Sequence, residues 1–129
     1  MRLHHVGIAV DDMDAAVARY RDLFGASVMR QGDFKGLEFA LLDLGGMELE
    51  LLHTTDPQEA IGKFLQERGP GVHHLAFEVD DIYAEVARLT QQGLEQSGDV
   101  RIGIHGTEIV FFHPRTTGGV LTELVQAHA

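Results

Sequence analysis

An internal duplication constrains this chain more than any other feature of its sequence. Residues 5–21 align without a gap with residues 74–90, and 8 of these 17 positions are identical. A second match pairs residues 45–52 with 118–125, at an offset of 73 rather than 69 residues, so the second copy contains a four-residue insertion. The chain is therefore a tandem repeat in which each copy carries one histidine early and one glutamate late.

Each copy has the sequence pattern of a βαβββ unit. In the first copy an alternating, β-rich run at 3–10 precedes Asp11 or Asp12, either of which can cap a helix. Gly25 stands where a left-handed helix end is favoured. Three strand-like segments follow, near 27–30, 37–44 and 47–53. The helix between cap and glycine has an amphipathic stripe made of Met13, Val17, Tyr20 and Phe24.

A short helix is predicted between the copies. Asp56 is its predicted N-cap, Pro57 suits the first helical position, Glu59 completes a capping box, and Gly69 ends it. The second copy then repeats the first. Its predicted elements are a strand at 72–79, an N-cap at Asp81, a helix ending at Gly93, and strands near 100–104, 107–112 and 120–126.

Length and composition set the class of protein. A chain of 129 residues favours a single domain over 1–129, with module one about 1–54, a linker helix about 56–69 and module two about 72–127. The chain has no cysteine, which excludes disulfides and thiolate sites and is compatible with a cytoplasmic location. No signal peptide or apolar run of membrane-spanning length is expected. The net charge of −10 argues against nucleic-acid binding, and an anionic substrate would need a local basic patch.

The repeated histidines and glutamates are the candidate functional residues. His5 and His74 occupy matching places on the first strand of each copy, and Glu50 and Glu123 match on the last strand. A carboxylate among apolar neighbours is costly to bury unless it is paired, protonated or bound to metal. Two imidazoles and two carboxylates suit a divalent ion such as Co, Ni, Mn, Fe or Zn. Duplication also copies structural residues, so the pattern alone leaves a structural role open.

Two longer segments carry a family resemblance. They are 61–82 (IGKFLQERGPGVHHLAFEVDDI) and 112–126 (FHPRTTGGVLTELVQ). Around these residues the chain resembles the vicinal oxygen chelate superfamily (glyoxalase, bleomycin resistance and dioxygenase proteins), and within it the methylmalonyl-CoA epimerases. It departs from the family at 97–107, where a Gly/Pro-rich run is usual, and at His4, where aspartate is usual. The first departure leaves the acyl-group selectivity open.

The resemblance implies a fold, a metal centre and a reaction. The fold is α+β, with two tandem βαβββ modules forming a curved mixed sheet around a metal site. The implied ligands are His5, Glu50, His74 and Glu123, and the implied ion is divalent, with Co²⁺ first and Ni²⁺, Mn²⁺, Zn²⁺ or Fe²⁺ as alternatives. The implied reaction interconverts (R)- and (S)-methylmalonyl-CoA through a metal-stabilised enolate, and the implied assembly is a homodimer without nucleic-acid or membrane partners.

The acid/base groups and the substrate remain open at this point. Epimerisation needs a proton-transfer group on each face of C2, and Glu50 and Glu123 are the candidates. A metal-bound carboxylate is a weaker base, so Glu38 or a water is an alternative. Arg115 can pair with the substrate's carboxylate or a CoA phosphate, or can be a surface charge. The alternative function is a glyoxalase I-like lactoylglutathione lyase or another metal-dependent enzyme of the superfamily, which would use the same ligands.

Overall fold

Eight strands and three helices make up the chain, and the computed structural model describes all of residues 1–129. This order is the βαβββ arrangement twice, with one helix between the copies, as the sequence predicts. The longest helix has 12 residues, and none is long and apolar enough to cross a membrane. In chain order the elements are β1 Arg2–Ala9, α1 Met13–Phe24, β2 Ser27–Phe34, β3 Leu37–Leu44, β4 Met47–His53, α2 Ala60–Arg68, β5 Gly71–Val79, α3 Ile82–Gln91, β6 Gln96–Ile102, β7 Glu108–Phe112 and β8 Thr122–Gln126.

The residues form two compact units, which we call the first unit (residues 5–73) and the second unit (residues 1–4 and 74–129). In the first unit β4 runs parallel to β1 and antiparallel to β3, which pairs with β2. In the second unit β8 runs parallel to β5 and antiparallel to β7, which pairs with β6. The strand order is β2-β3-β4-β1 in the first unit and β5-β8-β7-β6 in the second, and the predicted mixed α+β fold is confirmed.

Each unit packs its own helix against its own sheet. In the first unit, Met13 and Val17 of α1 are buried against Leu51 of β4. In the second unit, Ile82 of α3 is buried against Phe112 of β7. Burying an aliphatic or aromatic side chain of this size contributes about 1.5–3 kcal/mol. One apolar cluster of each unit therefore lies between its helix and its sheet and holds the strands in register.

The two repeated helices begin in the same way. Asp12 caps α1 by accepting a hydrogen bond from Ala15 N at 3.0 Å, and Asp81 caps α3 by accepting one from Ala84 N at 3.2 Å. Each aspartate satisfies an amide that has no partner within the helix. Gly25 ends α1 with φ of 76°, in the left-handed region predicted for it. The N-cap of α1 is therefore Asp12 rather than Asp11.

The start of the connecting helix was predicted wrongly. The structure begins α2 at Ala60, with Glu59 rather than Asp56 as the preceding residue, and Glu59 makes no side-chain capping bond. Asp56 instead accepts from Gln58 N through its side chain at 2.9 Å and from Glu59 N through its carbonyl at 3.2 Å. An aspartate that closes a local turn in this way competes with helix formation, so the helix starts later.

Two exposed strands differ from their predicted bounds. β2 extends to Phe34, beyond the predicted 27–30, and β6 begins at Gln96, before the predicted 100–104. Most residues in both strands are exposed, so neither has the alternating burial that marks a half-buried strand. Backbone pairing with β3 and β7, which the hydrophobic pattern does not report, determines where these strands begin and end.

Candidate metal centre

The first unit brings His5 and Glu50 together, as predicted. Gly7 of β1 is the register partner of Glu50 on β4, and His5 lies two residues before Gly7 on the same strand. Residues two apart on a strand point to the same face. The side chains of His5 and Glu50 therefore share a face, and His5 Nε2 lies 3.5 Å from a carboxylate oxygen of Glu50.

The second unit repeats this arrangement with His74 and Glu123. Ala76 of β5 is the register partner of Glu123 on β8, and His74 lies two residues before Ala76. His74 Nε2 lies 3.1 Å from a carboxylate oxygen of Glu123. In both units the residue opposite the glutamate is small, Gly7 or Ala76, which leaves room for the diagonal contact between imidazole and carboxylate.

The four predicted side chains share an unusual burial. The buried polar residues of the chain are these four and Thr54, with fractional exposures of 0% for His5, 5% for Glu50, 2% for His74 and 5% for Glu123. Burying an ionised carboxylate is expensive unless a partner or a metal compensates for the lost hydration. Each unit thus contains a buried imidazole–carboxylate pair whose nitrogen and oxygen donors fit a divalent transition-metal ion.

Two neighbours of these pairs were missed by the sequence reasoning. Glu48 lies beside His5, with a carboxylate oxygen 3.8 Å from His5 Nδ1. Phe111 packs edge-on against the ring of His74, with 5.3 Å between ring centroids. Alternation along β4 puts Glu48 on the same face as Glu50. The sequence of one strand does not show how far its side chains lie from those of another strand.

Other polar residues have neighbours of their own. Arg115 bonds Glu95 at 2.8 Å, and with the Arg115 side chain 65% exposed this is a surface ion pair. His53 makes a 2.8 Å hydrogen bond to Val10 O at the end of β4. Glu38 is the register partner of His53, so it also lies at that end of the strand. His4 packs edge-on against His105, with 4.6 Å between ring centroids.

Sequence and structure comparisons show that the chain is similar to methylmalonyl-CoA epimerases. The human mitochondrial methylmalonyl-CoA epimerase is 40% identical, over 98% of this chain and 74% of that protein. The ethylmalonyl-CoA/methylmalonyl-CoA epimerase of Cereibacter sphaeroides is 40% identical, over 97% of each chain. A variant of the Streptomyces coelicolor methylmalonyl-CoA epimerase, solved with 2-nitronate-propionyl-CoA, superposes with a TM-score of 0.92 at 38% identity, over 100% of this chain and 96% of that one.

A more distant relative bears on the alternative function. A probable lactoylglutathione lyase from Synechocystis is 30% identical, over 98% of this chain and 95% of that protein. A family model, described as the Glyoxalase/Bleomycin resistance protein/Dioxygenase superfamily, matches residues 4–111. Together with the repeated βαβββ modules and the extent of these similarities, this match shows that the chain belongs to the Glyoxalase/Bleomycin resistance protein/Dioxygenase superfamily.

Proposed function

We propose that this protein is an isomerase that interconverts the (R) and (S) forms of methylmalonyl-CoA by moving the proton at C2. The observation that carries the proposal is the buried His–Glu pair that each unit holds in matching geometry, at 3.5 Å and 3.1 Å. Similarity to epimerases at 40% identity over nearly the whole chain supports the substrate class.

We also propose that His5, Glu50, His74 and Glu123 are the ligands of one divalent ion, with Co²⁺ the first candidate. Neutral imidazole and carboxylate suit the borderline divalent ions and not copper(I) or an iron–sulfur cluster. When bound, such an ion supplies Lewis-acid stabilisation of the negative charge that develops on the substrate's thioester and carboxylate oxygens. The near-complete burial of the four side chains supports a site from which bulk water is excluded.

The protein's own part in the reaction is proton transfer. The C2 proton lies between a thioester and a carboxylate, and epimerisation removes it from one face and returns a proton to the other. Glu50 and Glu123 occupy equivalent positions in the two copies, so they are the candidates for the two faces. Because a metal-bound carboxylate is a weaker base, a glutamate that moves the proton must loosen from the ion; otherwise Glu38 or a water serves in its place. Each must come within about 3 Å of the proton that it moves. Exclusion of water from the site protects the carbanionic species from unselective protonation.

The remaining proposals concern assembly and location. A homodimer is supported by the strands β2 and β6, which pair with β3 and β7 on one side, because a strand edge without a neighbour favours pairing with another chain. A cytoplasmic location is compatible with a chain that has no cysteine and therefore no disulfide.

A glyoxalase I-like lactoylglutathione lyase is the second candidate function. It is favoured by the 30% identity to the Synechocystis protein and by a donor set that both reactions can use. The two candidates share proton removal next to a polarised carbonyl, so only the substrate separates them.

Incorporation of solvent deuterium at C2 of methylmalonyl-CoA tests the epimerase. The protein is stripped of metal, reloaded with Co²⁺ and compared with Glu123→Ala, with uncatalysed exchange subtracted. Glu85→Ala is the matched control, because Glu85 lies on α3 and pairs with Arg88 at the surface. Rapid exchange that requires metal, is lost in Glu123→Ala and is retained in Glu85→Ala is expected. No exchange above background in the reloaded protein would refute the proposal, and turnover of the methylglyoxal–glutathione hemithioacetal would then establish the lyase.

A further inference from the structure

Glu48 lies next to His5 on the face that carries the first-unit pair. The two residues are direct register partners on the parallel strands β1 and β4. A carboxylate oxygen of Glu48 lies 3.8 Å from His5 Nδ1, while His5 Nε2 lies 3.5 Å from Glu50. His5 is therefore placed between two carboxylates, each facing a different ring nitrogen.

The burial of His5 makes the choice of tautomer important. Its side chain is 0% exposed and that of Glu48 is 16% exposed, so little water competes for the ring. A neutral imidazole has one N–H and one lone pair, and the partner of one nitrogen decides which nitrogen carries the proton. A carboxylate beside Nδ1 favours the proton there, which leaves the lone pair on Nε2, the nitrogen on the Glu50 side.

The second unit has no equivalent of this carboxylate. In the alignment of the two copies, the position of Glu48 corresponds to Leu121. His74 instead has the ring of Phe111 against it, with 5.3 Å between centroids. The acidic neighbour is thus specific to His5 and is not a by-product of the duplication.

We infer that Glu48 is a positioning residue: its carboxylate, 3.8 Å from Nδ1 and so in ion-pair rather than hydrogen-bond range, favours the proton on Nδ1 and so presents Nε2 as a metal ligand. This inference rests on the proposed metal centre and extends it to a residue outside the four ligands. Glu48 faces Nδ1 whereas Glu50 faces Nε2, so the role of Glu48 is to orient the ring rather than to move the substrate proton. Partners that hold a ligand histidine in this way typically contribute about 10- to 100-fold to metal affinity.

The test is the affinity of the full-length, metal-free protein for Co²⁺, measured by competition with a chelator. The variants are Glu48→Gln, which keeps an oxygen acceptor, and Glu48→Ala, which removes it. Asp43→Asn is the matched control, because Asp43 is the register partner of Glu48 on β3 and its change removes one negative charge from the same row of the sheet. The second readout is the ¹⁵N spectrum of the histidine rings in the Zn²⁺-loaded protein, which reports the tautomer of His5.

We expect Glu48→Ala to weaken Co²⁺ binding by about 10- to 100-fold, Glu48→Gln to weaken it less, and Asp43→Asn to have little effect. The His5 Nδ1 proton should be present in wild type and Glu48→Gln and lost or rapidly exchanging in Glu48→Ala. If Glu48→Ala does not fold, Glu48→Gln carries the test through its intermediate affinity. Wild-type affinity and an unchanged His5 spectrum in the Glu48 variants would overturn the inference while leaving the proposed function intact. A wild-type protein that binds no Co²⁺ would overturn both.

Discussion

Replacing Gly62 by alanine should destabilise the protein, although its sequence context predicts the opposite. Gly62 is the third residue of α2, and glycine within a helix is about 1 kcal/mol less favourable than alanine. In the structure, however, a Cβ at this position would lie 1.8 Å from the carbonyl oxygen of Asp56 and 2.7 Å from its carbonyl carbon. These are backbone atoms, so no rotation of a side chain can relieve the overlap.

The size of the effect follows from what must move. The Asp56 carbonyl accepts a hydrogen bond from Glu59 N at 3.2 Å, and its side chain accepts one from Gln58 N at 2.9 Å. Overpacking of this kind costs about 1–3 kcal/mol, and each disrupted hydrogen bond about 0.5–1.5 kcal/mol more. If one of these hydrogen bonds is lost and the helix-propensity gain of about 1 kcal/mol is subtracted, we expect a net loss of about 0.5–3.5 kcal/mol.

Urea unfolding followed by far-UV circular dichroism measures this loss, with chelator present so that metal binding does not add to the stability. Gly71→Ala is the matched control, because its φ lies outside the left-handed region and nothing lies within 4 Å of its Cβ position. The control should match wild type or gain up to about 1 kcal/mol. A Gly62→Ala protein as stable as wild type, or an equal loss in both variants, would refute the steric reasoning.

Two further predictions concern the caps and an ion pair. Asp12→Ala and Asp81→Ala should each lower the free energy of unfolding, measured in urea, by about 1 kcal/mol, because each leaves a helical amide without its capping partner. The Asn variant at either position should retain most of the wild-type stability. Equal stability of the Ala and Asn variants would argue against capping. The hydrogen bond from Arg2 at 2.7 Å, together with its charge, outweighs burial and lowers the pKa of Glu78. A lowered folded-state pKa stabilises the protein above the unfolded-state value, and the effect is lost as pH falls through the folded-state value. Arg2→Ala should therefore cause a small loss at neutral pH, since Arg2 is 75% exposed, and the difference from wild type should vanish in acid; a difference that grows in acid would contradict this assignment.

The sequence predicts the bounds of an element well where the element is buried enough to leave a clear apolar pattern. The first strand and helix of each copy, together with β3 and β4, lie within a residue or two of their predicted bounds. One face is buried in β1 and β5, and both faces are buried in the middle of β3 and β4. The edge strands β2 and β6 are mostly exposed, so their lengths depend on backbone pairing that composition does not record. The start of α2 was missed because the side chain of Asp56 closes a turn before the helix instead of capping it.

The duplication predicts that His5 matches His74 and that Glu50 matches Glu123; the pairing of histidine with glutamate in each copy follows from the register of β1 with β4 and of β5 with β8. It does not predict what surrounds them. Glu48 and Phe111 lie beside the two histidines through pairing between strands that are distant in the sequence, and their positions in the two copies carry different residues. Spacing within one strand fixes the face of a side chain, but the distance to another strand follows only from the register.

The differences between the copies matter more for function than their likeness. Glu50 has Leu41 as its register partner on β3, whereas Glu123 has the aromatic Phe111 on β7. His5 has a carboxylate beside its second nitrogen, whereas His74 has the edge of an aromatic ring. Under the proposed function the two copies therefore offer the substrate equivalent His–Glu pairs with unequal neighbours, and we expect those neighbours to favour one orientation of its thioester and carboxylate.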